Sequence, residues 1–166
     1  MSLCVETPSG QEVFALKEIG VKNSIGIFKK ASKPLVISGE GHRIPFANNT
    51  FDFIFSGGAR LDKSAWPSEF AFEITRTLKP EGFLVAHVKA KDKYSFNSFL
   101  DFFDSCELVK MRHIDGSANG VLVFNAGDNS AGRIRQAAAA ALVATQAAPV
   151  AMQHRRQGKI SATMKF

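Results

Sequence analysis

The feature that most constrains this chain is alternation. Short, strongly apolar runs at residues 2–6, 24–28, 34–38, 51–56 and 83–88 are separated by segments whose apolar residues recur every three or four positions. Residues 11–19 put Val13, Leu16 and Ile19 on one helical face, and residues 67–78 put Phe70, Ile74 and Leu78 at spacing four. Strands that read as unbroken apolar runs are buried on both faces, and parallel neighbours need crossovers. The expectation is an α/β fold with a mainly parallel sheet and helices on both faces.

Local signals set the boundaries. Gly20 is placed to end the first helix in a left-handed cap, and Pro67 suits the first position of the second. Residues 79–82, Lys-Pro-Glu-Gly, stop that helix before the fifth strand. Only residues 29–33 separate the second and third runs, too few for a crossover helix. Either a helix is missing or reduced to a turn there, or one run is not a strand. Phe96, Phe99, Leu100 and Phe103 follow the pattern of a third helix docked on a sheet. Residues 107–114 and 121–125 flank the turn-rich 115–120, which predicts an antiparallel hairpin at the sheet edge and seven strands in all.

Composition then divides the chain. Hydrophobic residues are 45% and charged residues 22% of 166, a globular composition. From Ala131 onward there are six basic residues, no acid and eleven alanines, so residues 1–130 carry 15 charges of each sign. The basic character belongs to the tail, and nucleic-acid binding is not expected of the body, which shows no excess of Lys and Arg. The domain boundary is expected near Gly127, with residues 128–166 an Ala-rich basic tail, partly helical or disordered. Through its charge the tail is a candidate contact for an acidic protein, a membrane surface or RNA. Cys4 and Cys106 stand far apart in apolar contexts, so both are expected as buried thiols, and no metal site is read. Without a leader or an apolar stretch of spanning length, the expectation is an intracellular, cytoplasmic location and no membrane span.

Two stretches carry a family resemblance. GEGHRIPFANNTFDFIFS, residues 39–56, resembles the segment of class I S-adenosylmethionine-dependent methyltransferases in which an acid after strand three precedes Pro-Phe, a polar turn and Phe-Asp. ITRTLKPEGFLVAHV, residues 74–88, is similar to the helix of that family that ends in Arg-x-Leu-Lys-Pro-Gly-Gly before strand five. With SLCVETPSGQEVFALKEIG ahead of them, the resemblance spans most of residues 1–126, and its nearest form is that of plant methyltransferase-like proteins of the type 11 group. It implies a Rossmann-like methyltransferase fold over 1–127, S-adenosylmethionine as cofactor, and methyl transfer to an unidentified acceptor. The alternative is a catalytically inactive protein-interaction module, because the family's glycine loop and ribose acid are replaced, or a truncated isoform, because its leading helices have no counterpart ahead of strand one.

The resemblance also assigns residues. Gly10 takes the third glycine of the family's acid-x-Gly-x-Gly-x-Gly loop, while Glu6 and Pro8 replace the first two and Cys4 replaces the acid. A register shifted by two makes Glu6 the acid and puts Pro8 and Glu12 at glycine positions. Phe28 stands where the family has the acid that takes the ribose hydroxyls, Glu40 where it has the acid facing the adenine amino group, and Gly41 gives that loop room. Ser56, with Gly57 and Gly58, falls where the methionine end and the acceptor lie. Glu6, Thr7, Ser9, Gly10, Phe28, Glu40, Gly41 and Ser56 are thus the candidate cofactor residues. No catalytic residue is assigned. His42 is a candidate base for an acceptor hydroxyl or else a solvated histidine, whereas Asp52 and Trp66-Pro67 read as structural.

Overall fold

The computed structural model describes residues 1–57, 64–89, 93–103, 106–114 and 119–126. The basic tail and the turn at 115–118 lie outside them. Among the described residues seven strands form one sheet: β1 (Ser2–Val5), β2 (Ser24–Phe28), β3 (Val36–Ser38), β4 (Phe51–Ser56), β5 (Leu78–Lys89), β6 (Glu107–Ile114) and β7 (Asn119–Asn125). Their spatial order is β3-β2-β1-β4-β5-β7-β6. The first five pair in parallel, and β7 runs antiparallel between β5 and β6. The expected hairpin therefore closes one edge, and the expected α/β architecture holds.

Among the described residues three α-helices flank the sheet: α1 (Gln11–Glu18), α2 (Pro67–Thr77) and α3 (Lys93–Leu100), the last followed by a 3-10 turn, Asp101–Phe103. Alternation along the strands divides the core. Leu3, Val5, Ile54, Leu84, Ala86, Leu122 and Phe124 face Phe70, Ile74, Phe99 and Phe103 of the α2 and α3 layer. Cys4, Phe55, Phe83, Val85, Val121 and Val123 face the side of α1, with Val13 and Leu16. α1 ends as its sequence requires, with Gly20 at φ 95, and α2 starts with Pro67 in its first turn.

Beyond shifts of one or two residues, such as β1 ending at Val5 and β7 starting at Asn119, three elements differ from the sequence reading. β3 begins at Val36 rather than Pro34, because the β2–β3 link turns back through a Ser32–Val36 bridge. The link is a seven-residue turn in place of a helix, one of the alternatives left open by its length. β5 starts at Leu78, which pairs with Phe51, and absorbs Lys79 to Gly82 as an irregularity between Phe51 and Phe53. The helical pattern reaching Phe103 is realised in two pieces, since the last turn tightens after Leu100. One burial expectation is also corrected. Cys4 is fully buried, but Cys106, just before the edge strand β6, is only partly so.

Candidate functional site

The chain leaves β1 toward α1 on one face and β4 toward α2 on the other. β1 and β4 are neighbours whose following helices lie on opposite faces, so their carboxyl ends mark the point where an open α/β sheet forms its ligand crevice. Glu6 follows β1 directly, with its backbone in the left-handed region at φ 58. A non-glycine residue held there costs on the order of 1 kcal/mol, so neighbouring contacts must hold the turn. They come from Thr7, whose N–H donates to the Ile27 carbonyl at 3.2 Å and whose hydroxyl donates to the Glu12 carboxylate. The Thr7 methyl fills the space over Gly26, so the β1 loop leans across β2.

Gly10 starts α1 at φ 68, and a Cβ there would meet Val36 Cγ2 at 2.9 Å and Leu35 Cβ at 3.0 Å. Both its backbone and its neighbours require glycine. Ser9 is exposed beside it, and no side-chain hydrogen bond caps the helix.

The loop after β3 leans back from the other side. The Gly39 N–H donates to the Phe28 carbonyl at 3.0 Å, and the Gly41 N–H donates to Glu6 Oε1 at 3.1 Å. Glu6 therefore ties the first loop to the third above the end of β2, where Phe28 is half-buried. Glu40 is exposed, with His42 Nε2 3.3 Å from its Oε2. Gly41 is buried because the Phe70 ring of α2 occupies the space a Cβ would need.

The rest of this loop is held from α2. Glu73 Oε2 accepts the Ile44 N–H at 2.8 Å, and Arg76 donates to the carbonyls of Ile44 and Phe46 and to Asn48 Oδ1. The two side chains also meet each other, with Arg76 Nε 2.7 Å from Glu73 Oε1. The bonded guanidinium holds the Glu73 carboxyl below the usual glutamate range, against the opposing effect of partial burial.

At the end of β4, Ser56 lies level with Val5 of β1 and Ala86 of β5 and is 0% exposed. Its Oγ is buried without a partner among the described residues. A buried hydroxyl left unsatisfied is costly, so this one is available to a polar group entering the crevice. Gly57 sits against the Phe55 ring, and a Cβ on it would lie 3.4 Å from Glu12 Oε1. Gly58 lies outside the described residues. The assigned residues Glu6, Thr7, Gly10, Phe28, Glu40, Gly41 and Ser56 all fall at the carboxyl ends of β1 to β4, and Ser9 on the exposed side of the first loop.

Sequence reasoning missed Glu12, Phe70 and the Glu73–Arg76 pair. The sequence signals for that pair were its i, i+3 spacing on a helix and Arg76's place in the Arg-x-Leu-Lys-Pro stretch. Asp52 stands at the start of β4, away from the crevice, and binds Lys79 Nζ at 2.9 Å and the terminal amine at 2.5 Å. Trp66 precedes α2 as its exposed N-cap. The described residues hold no cluster of His, Cys, Asp and Glu fit for a metal ion. None of their helices is long and apolar enough to cross a membrane.

Comparison with known proteins follows this geometry. Residues 17–86 match the family model of a methyltransferase domain. That span carries β2, the Glu40–Gly41 loop, β4 and the start of β5. The sheet and helices form a Rossmann-like methyltransferase fold. A SAM-dependent methyltransferase from Aquifex aeolicus superposes with a TM-score of 0.58 at 18% identity, over 75% of this chain and 80% of that one. The 1,6-didemethyltoxoflavin-N1-methyltransferase of Burkholderia thailandensis, solved with 1,6-didemethyltoxoflavin and S-adenosylhomocysteine, gives 0.65 at 11% identity, over 76% and 71%. The [4+2]-cyclase SpnF gives 0.63 at 12% identity, over 77% and 74%. The same fold thus serves more than one reaction. No curated protein matches the chain.

Two polar groups of the kind an adenosyl amino acid needs stand at the two ends of this region. Glu40 offers an exposed carboxylate beyond β3 for an amino group, and Ser56 offers its unspent hydroxyl beyond β4. Between them β2 ends in Phe28, which cannot accept a hydrogen bond. The carboxylate standing over that strand is Glu6.

Proposed function

We propose that this chain is an S-adenosylmethionine-dependent methyltransferase domain, of the type 11 group found in plants, acting on an unidentified acceptor. The observation that carries the reading is the unpartnered Ser56 hydroxyl at the carboxyl end of β4, beside the crevice that the β1 and β3 loops roof. The methyltransferase-domain match over residues 17–86 and the bound S-adenosylhomocysteine of the Burkholderia neighbour support it.

Glu40 would accept the adenine amino group, with Phe28 and Gly41 against the base. Glu6 would face the ribose hydroxyls and Ser56 the methionine end, while Thr7, Ser9 and Gly10 shape the turn between them. When bound, the cofactor supplies an electrophilic methyl group on sulfonium. The work of the protein is then to align the acceptor in line with that methyl and to exclude water. His42 points its Nε2 at the Glu40 carboxylate, 3.3 Å away, on the adenine side of the site, which favours the solvated-histidine alternative over a base for an acceptor beside Ser56.

Isothermal titration of the whole chain with S-adenosylmethionine and S-adenosylhomocysteine tests the reading. Micromolar binding that weakens about tenfold in Glu40→Ala supports it. A second reading is a catalytically silent domain of this fold that binds a protein partner. It is favoured by Pro8, which has no N–H to offer a ligand, and by the Glu6 side chain spanning the crevice. No heat and no thermal stabilisation at millimolar ligand, with the chain folded, would decide for it.

A further inference from the structure

The α1 side of the sheet buries more apolar surface than α1 can cover. α1 packs on β1 and β2. A helix is about 10 Å across and strands are about 4.8 Å apart, so one helix shields roughly two strands. Yet Phe55, Phe83, Val85, Val121 and Val123, on β4, β5 and β7, face the same side and are at most 8% exposed, Val85 0%. Among the described helices none lies over β5 and β7 from this side.

Topology says which part of the chain can. Residues 58–63 and 90–92 follow the carboxyl ends of β4 and β5, and residues 115–118 join β6 to β7 at that same end. Phe83 lies at the opposite end, level with Asn125, where β7 runs out. Residues 104–105 are near that end, but they leave Phe103, which packs in the other layer. The forty residues from 127 onward begin beside Phe83.

We propose that residues 133–148 form a helix that docks along β5 and β7 on the α1 side and runs from the foot of the sheet toward the candidate site. Sixteen residues of helix measure about 24 Å. Residues 83–89 of β5 measure about 23 Å. Ile134, Ala138, Ala141, Leu142 and Thr145 share one helical face, and small side chains let a helix approach a sheet closely. Charge also fits the foot of this face. Glu107, opposite Asn125, is an exposed carboxylate where Arg133 and Arg135 would arrive, and Asn125 Oδ1 is buried there without a partner among the described residues. Lys110 and Arg112, opposite Val123 and Val121, bound the strip on its outer edge.

Hydrogen exchange read by mass spectrometry on the full chain tests this. Amides of 134–148 should be protected by about 100-fold or more over an unfolded chain. Ala138→Asp, on the docking face, should remove that protection and raise exchange in residues 83–89 and 119–125, while Ala140→Asp, on the far side, leaves both unchanged. Exchange of 134–148 at the unfolded rate in the wild-type chain overturns the proposal, even if Ala138→Asp fails to fold. Equal effects of the two variants overturn it too. Protection that vanishes on dilution would show a second copy as the occupant and overturn it as well.

Discussion

The Phe70 ring of α2 lies directly against the Cα of Gly41, inside the space a methyl group there would need. A helix side chain thereby sets the position of the loop that carries Glu40.

Gly41→Ala should force ring and loop apart. Overpacking of this kind costs about 1–3 kcal/mol, read as a lower denaturation midpoint. Because Glu40 moves with the loop, affinity for S-adenosylhomocysteine should fall by more than the Glu40 carboxylate alone accounts for. Gly41→Ala combined with Phe70→Leu should recover part of the stability.

Arg76 spends its hydrogen bonds on backbone and side-chain oxygens 28 to 32 residues away, and on Glu73. Arg76→Ala should leave the Ile44 and Phe46 carbonyls short of donors and cost about 1–3 kcal/mol. Hydrogen exchange should rise at 44–48 before it rises in β1. Arg76→Lys should restore only part, since one ammonium cannot reproduce a guanidinium fork.

The Glu73 carboxyl is depressed in the folded chain, chiefly by its hydrogen bond from Arg76. Its stabilisation is therefore full above the ordinary glutamate value of about 4.3 and is lost as pH falls through the lower, folded value. Urea midpoints between roughly pH 5 and 3 should drop more steeply in the wild type than in Glu73→Gln. The variant should also be the less stable of the two at neutral pH.

Burial raises both thiols, Cys4 well above the ordinary range and Cys106 less, with a Thr75 hydrogen bond opposing the latter shift. At mildly alkaline pH, iodoacetamide should modify Cys106 slowly and spare Cys4 until the chain is unfolded. Mass spectrometry of the labelled peptides separates the two rates.

The strands were legible in sequence because buried parallel strands read as unbroken apolar runs, and β4 was legible to the residue. The start of β5 was not. Lys-Pro-Glu-Gly reads locally as a stop, yet pairing of Leu78 with Phe51 extends the strand across it. At the site, Gly10 and Gly41 stood out as glycines in turns, but what makes them obligatory is Val36, Leu35 and Phe70, which come close only after folding. Glu12 and Arg76 look like ordinary solvated charges on helices. Their partners are loop groups that local spacing cannot reveal.

The pairing of Ser2 with Phe53 has a consequence for the order in which the chain takes shape. β1 is synthesised first but stands inside the sheet, and it gains its second neighbour only after some fifty further residues have emerged. Contacts so far apart in sequence form late. The turn at Glu6 precedes every other loop of the sheet, yet its partner loop is fastened by Phe70 and Arg76 from a helix made much later. A nascent chain halted before α2 would hold most of the site's residues and little of its geometry.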